Sequence, residues 1–100
     1  MEKRRAHYPL ASVRRLIGEG RVRFTMTAVA GGAAMGFAAE EMLGVVAGLT
    51  GRNFYKSMTS RADHKVWHDV YHADTRRGAV YLKLTIIGDL LIVSFKEKGQ

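Results

Sequence analysis

The chain contains no cysteine, which excludes disulfides and thiolate metal sites and fits a reducing compartment. It has a single proline and no repeat or low-complexity segment, so a fibrous or disordered class is excluded as well. No apolar run approaches the length of a membrane span. The opening "MEKRRAHYPLASVRRL" carries the positive charges of a signal peptide but no continuous apolar block behind them, so a cytoplasmic protein is expected. Acidic residues are scarce, nine against sixteen Lys and Arg, giving a formal net charge of +7. The basic residues run from Lys3 to Lys98 and are not confined to a tail. A folded domain with that surplus attracts polyanions, nucleic acid first, then an acidic protein or an anionic membrane surface. One hundred residues suffice for one core, so a single domain over residues 1–100 is expected.

The first half reads as helices. "PLASVRRLIGEG" sets Leu10, Val13, Leu16 and Ile17 on one stripe between a proline and closing glycines. "RVRFTMT" alternates briefly, and Thr25 or Thr27 is placed to cap a following helix around Ala28 to Ala30. "AGGAAMGF" reads as a loop or a broken helix, and its glycine spacing matches no phosphate-binding loop. "AAEEMLGVVAGLT" then puts Met42, Val45, Val46 and Leu49 on one face behind Glu40 and Glu41, a suitable helix start.

After Gly51 the texture becomes that of strands. "NFYKSMTSR" alternates Phe54, Lys56 and Met58 against Tyr55, Ser57 and Thr59, and "HKVWHDVYH" is rich in β-branched and aromatic residues. The closing "AVYLKLTIIGDLLIVSFKEK" has the form of a hairpin about Gly88-Asp89. A two-residue turn pairs Ile87 with Leu90, Thr85 with Ile92, Lys83 with Ser94 and Tyr81 with Lys96. It also sets Val80, Leu82, Leu84 and Ile86 against Leu91, Val93 and Phe95 on the apolar face. The predicted class is α+β, with helices packed on one face of a twisted, mainly antiparallel sheet.

The hairpin thereby gathers a phenol and two ammonium groups on one face. A solvated sheet end is one account of them, since lysine discourages edge pairing. Phosphate chemistry is the other: ammonium groups stabilise charge on non-bridging oxygens, and a phenol donates or relays a proton. His64, His68 and His72 have the spacing of a helical metal motif, but on a strand each stands roughly 13 Å from the next, so no metal site is expected. His72 reads as a surface residue. His64 and His68 are candidates for proton exchange near neutral pH.

The segments "MEKR", "NFYKSMTSRADHKVWHDVY" and "VYLKLTIIGDLLIVSFKEK" resemble the MqsR family of bacterial toxins, over nearly the whole chain. The resemblance implies a RelE-like fold and a ribosome-independent endoribonuclease that cuts mRNA at GC-containing sites such as GCU. It implies as partner an MqsA-type antitoxin with a zinc-binding N-terminal domain and a helix-turn-helix C-terminal domain, so the zinc belongs to the partner. It places active-site residues at Lys56, Tyr81 and Lys96. The family's "WQDVY" is "WHDVY" here, so His68 stands where the family has an active-site glutamine. Tyr55, Arg61, His64, Lys83 and Ser94 are expected as further RNA contacts. The expected reaction needs neither metal nor cofactor: the 2′-hydroxyl attacks its adjacent phosphate and leaves a cyclic phosphate. A non-catalytic nucleic-acid- or antitoxin-binding module with a decayed nuclease site is the alternative.

Overall fold

A computed structural model describes residues 1–99. Strand β1 (Glu2–Lys3) is followed by α1 (Leu10–Gly18), β2 (Val22–Phe24), α2 (Met26–Ala34) and α3 (Ala39–Ala47). A 3-10 turn (Gly51–Asn53) then leads into β3 (Phe54–Thr59), β4 (Trp67–Thr75), β5 (Gly78–Ile87) and β6 (Asp89–Glu97). The six strands form one sheet in the order β1-β3-β4-β5-β6-β2, antiparallel except where β2 runs parallel to β6 at the edge. The α+β class with helices on one face is therefore the architecture observed. No single helix among the described residues is long and apolar enough to cross a membrane.

The helices bury one stripe each. Val13 and Leu16 of α1, Ala28 of α2, and Met42 and Val46 of α3 pack against Tyr71, Val80, Leu82, Leu84, Leu90, Ile92 and Phe95 of the sheet. Burial of side chains of this kind contributes ~1.5–3 kcal/mol each. Arg14 ties α1 to the end of α3 by donating to the carbonyls of Ala47 and Leu49. At the start of α3, Glu41 accepts from the Ala38 amide and from Arg77, two bonds that hold its pKa below the usual carboxylate value.

The stretch read as a loop or broken helix is helical through Ala34. The reason is contact with the sheet, not intrinsic propensity, because glycine destabilises a helix interior. A Cβ on Gly31 would overlap the Phe95 carbonyl, and one on Gly32 would overlap the Met42 thioether. Gly31 lets α2 lie directly on β6, and Gly32 makes room for Met42 of α3. Thr25 caps the helix by accepting from the Ala28 amide, which settles the choice between Thr25 and Thr27.

Two bulges break the alternation that the sequence suggested. In β6, Ile87 pairs with Asp89 and Ile86 with Leu90 around Gly88, whose φ is +70°. The two-residue Gly-Asp turn is therefore not formed, and near the turn the register is one residue off the expected one. Val93 is the extra residue, after which Lys83 meets Ser94 and Tyr81 meets Lys96 as expected. The buried residues of β6 are consequently Leu90, Ile92 and Phe95, while Leu91 and Val93 are only partly buried. In β3 the register shifts between Phe54 and Lys56, making Tyr55 the extra residue. Phe54 packs against the core with its ring edge-on to Tyr71, at 5.6 Å between centroids, and Tyr55 leaves its predicted company with Ser57 and Thr59.

The N-terminal segment is held by one buried carboxylate. Asp69 on β4 accepts from the backbone amides of His7 and Tyr8 at 3.0 and 2.9 Å. The Tyr8 hydroxyl then bonds the Trp67 carbonyl and Thr85, and the His7 ring stacks on Trp67. A buried carboxylate requires such donors. Their effect is to fix β1 beside β3.

Candidate active site

The sheet face away from the helices carries two cross-strand rows. In the first, Lys56, Val70, Lys83 and Ser94 are successive partners across β3, β4, β5 and β6. Val70 is fully buried yet stands apart from the main core cluster. It lies between Lys56 and Lys83 in register, and long basic side chains commonly cover apolar surface. In the second row His72 pairs with Tyr81, and Tyr81 with Lys96. The β3 bulge brings Tyr55 to this row, where its ring stacks on His72 with centroids 4.4 Å apart and 24° between planes. His72 in turn lies 5.9 Å from the Tyr81 ring.

Positive charge converges here. Lys96 Nζ lies 5.3 Å from the Tyr81 ring centroid, and Lys56 Nζ 5.4 Å from that of Tyr55. Lys83 has its pKa pushed down, first by partial burial and then by the ammonium and guanidinium groups of Lys96, Arg61 and Lys56. Cations crowded in this way define a place for an anion. Tyr81 has its pKa raised by burial, an effect the Lys56 charge opposes, so its phenol keeps its proton at neutral pH.

Lys56 is the one site lysine with an acidic partner in hydrogen-bond range among the described residues. Glu2 of β1 accepts from its Nζ at 2.9 Å, which raises the Lys56 pKa and lowers that of Glu2. Nothing in the sequence pattern linked Glu2 to Lys56, because the contact depends on β1 pairing Lys3 with Ser57 and Glu2 with Met58.

The structure thus brings together Lys56, Tyr81, Lys96, Tyr55, Lys83 and Ser94. His68 sits farther along β4, opposite Met58. Its pKa is lowered by burial and by the nearby Lys83 charge, so the imidazole is neutral at pH 7. Arg61 and His64 are exposed in the turn between β3 and β4, beside a cleft of about 260 Å³ shared with Met1, Glu2 and Met58. His64 therefore lies outside the strand that carries His68 and His72, contrary to the expectation that all three share it. His72 was read as a surface residue and is instead half-buried in the row of rings. Its signal in the sequence was its place opposite Tyr81, visible only once β4 is registered on β5.

Helices on one side of a mainly antiparallel sheet, with a cationic and aromatic face on the other, define an α+β protein with one helix-covered and one basic sheet surface. The profile of the family described as "Motility quorum-sensing regulator, toxin of MqsA" matches residues 5–97. The chain is also 47% identical over 98 residues to the mRNA interferase toxin MqsR of Escherichia coli (strain K12), covering 98% of this chain and 100% of that protein. The chain belongs to the MqsR toxin family.

Proposed function

We propose that this protein is an endoribonuclease toxin that cleaves mRNA without the ribosome, at GC-containing sites of the GCU type, and is inhibited by an MqsA-type antitoxin. The observation that carries the reading is the crowding of Lys56, Arg61 and Lys96 around Lys83, with a protonated phenol beside them. A relative of nearly the same length is an mRNA interferase by name. A phosphodiester supplies the anion that such a cluster lacks.

The chemistry follows from the groups present. The 2′-oxygen forms a bond to the adjacent phosphorus and the bond to the 5′-oxygen breaks, leaving a 2′,3′-cyclic phosphate and a 5′-hydroxyl. Lys56 and Lys96 hold the phosphate and stabilise the charge that builds on its non-bridging oxygens. Tyr81 orients the phosphate through its O–H or relays a proton. His68 supplies a polar contact, as a neutral imidazole donates and accepts one hydrogen bond each. RNA must displace Glu2 from Lys56, exchanging a carboxylate for a phosphate. Metal independence is part of the proposal, since ammonium groups occupy the role that a divalent ion would fill.

The deciding experiment incubates the purified protein with one long transcript, without ribosomes and with chelator present, and maps both new termini. Cyclic phosphate ends at GC-containing sites, absent with Lys96→Ala, are expected. Dependence on added metal would overturn the mechanism. Tight RNA binding without cleavage would instead identify a nucleic-acid-binding module.

A further inference from the structure

The rings of Tyr55, His72 and Tyr81 come from three adjacent strands and lie in sequence across the open face. The spacings are 4.4 Å for the first pair and 5.9 Å for the second. The column is closed at Tyr81, which is partly buried beneath Lys96, and open at Tyr55, which is 45% exposed. Its position is built, not incidental. The β3 bulge turns Tyr55 onto the face of Lys56, and Asn53 anchors β4 by donating to the His72 carbonyl at 3.1 Å. Bulges beside active sites commonly re-aim a side chain in this way.

We infer that Tyr55 and His72 form a stacking platform for one unpaired nucleobase of the RNA, next to the phosphate held by Lys56 and Lys96. The inference rests on the ribonuclease reading and adds a base-stacking subsite to it. Bases inside an A-form helix have both faces covered by their neighbours, whereas unpaired bases stack on aromatic side chains. Such stacking tolerates any base, because every base has a π-face. The lysines beside the column select a polyanion over a neutral partner. A nucleobase laid against the exposed part of Tyr55 extends the column by one ring and keeps its own phosphate beside Lys56, whose Nζ is 5.4 Å from the Tyr55 centroid.

The test uses the intact protein and a short single-stranded 2′-O-methyl oligoribonucleotide, which lacks the attacking hydroxyl. A 2-aminopurine and, separately, an abasic site are moved through the oligonucleotide one position at a time. At one position the 2-aminopurine fluorescence is expected to be quenched on binding, and the abasic site to weaken affinity about tenfold. Tyr55→Ala and His72→Ala remove the same increment, while Tyr55→Phe and His72→Phe keep it. A flat abasic scan with unquenched probe at every position would overturn the platform, and that result needs no variant to fold. If the wild-type protein cleaves RNA yet gives the flat scan, only the platform fails. If it neither binds nor cleaves, the ribonuclease reading fails with it.

Discussion

The two faces of this sheet are built from the same strands and solve opposite problems. The covered face meets three helices with Tyr71, Val80, Leu82, Leu84, Leu90, Ile92 and Phe95, all nearly free of water. The open face concentrates Lys56, Lys83 and Lys96 at the cost of mutual repulsion. A fold optimised only for stability would not place three ammonium groups within range of one another. The covered face supports the strain that the open face stores, so substitutions on the two faces should separate activity from stability.

The largest effect is expected on the open face. Lys56→Ala or Lys96→Ala should each lower the cleavage rate by ~10²–10³-fold, the usual loss when one donor to a developing charge is removed. Melting temperature should hardly move. Measuring both quantities on the same preparations is the check, and a parallel loss of stability would show that the faces are not separable. Gly31→Ala should do the reverse. Its Cβ would overlap the Phe95 carbonyl, and displacing α2 from β6 should cost about 3 kcal/mol by denaturant titration.

That glycine also shows where sequence reading stops. The covered face was largely legible, because Leu10, Val13, Leu16 and Ile17, and likewise Met42, Val46 and Leu49, recur at helical spacing. Gly31 and Gly32 were not legible as helix, since their fitness for it comes from the close approach of β6 to the first and of Met42 to the second, and not from their own propensity. On the open face, Lys56, Tyr81 and Lys96 were legible through the family resemblance, and the Tyr81–Lys96 pairing through the register. Their pairing was inferred through a turn that does not form. The error near Gly88 is cancelled farther out by the Val93 bulge. A bulge adds one residue and inverts the phase of everything beyond it, and no local composition marks it. The second bulge hid which face Tyr55 takes, and with it the stacking of its ring on His72. Glu2 and Asp69 were missed for a similar reason: their partners lie across strands whose adjacency only the fold defines.

Thr25 connects the two faces. Its hydroxyl caps α2 and also donates to the Val93 carbonyl at 2.8 Å, fixing the bulge that turns Ser94 and Lys96 outward. Thr25→Ala should cost about 1–2 kcal/mol of stability. It should also lower the cleavage rate more than RNA affinity, since Lys96 would keep its charge and lose its position. Thr25→Ser should restore both. An unchanged rate in Thr25→Ala would mean that the bulge needs no anchor.

Tyr71 gives a smaller effect confined to the covered face. Its hydroxyl is buried and meets no hydrogen-bond partner among the described residues. Burial and the Asp69 charge push its pKa up to about 12 from 10.0. A raised folded-state pKa means that the native state retains the proton longer than the unfolded chain. Stability is therefore full below pH 10 and falls as pH rises toward about 12. Tyr71→Phe should remove that part of the alkaline slope and leave stability at pH 7 equal or higher by about 1 kcal/mol, because it deletes an unpaired polar atom. A loss of stability at pH 7 would reveal a partner for the hydroxyl.

His68→Gln should have the smallest effect, and it tests which side of the comparison that residue belongs to. Burial and Lys83 hold the imidazole pKa below its ordinary value, so at pH 7 it is a neutral group with one donor and one acceptor, functionally close to the glutamine expected there. It faces Met58 across β3, away from the row of His72, Tyr81 and Lys96. Replacing it should change the cleavage rate at pH 7 by less than about threefold, under 1 kcal/mol of barrier. The rate on the acid side should change more, because only the wild type gains a proton there, adding a positive charge beside Lys83. Near-complete loss of turnover at pH 7 with RNA binding intact would make the imidazole a proton carrier, and would move the centre of the chemistry along β4 toward Met58.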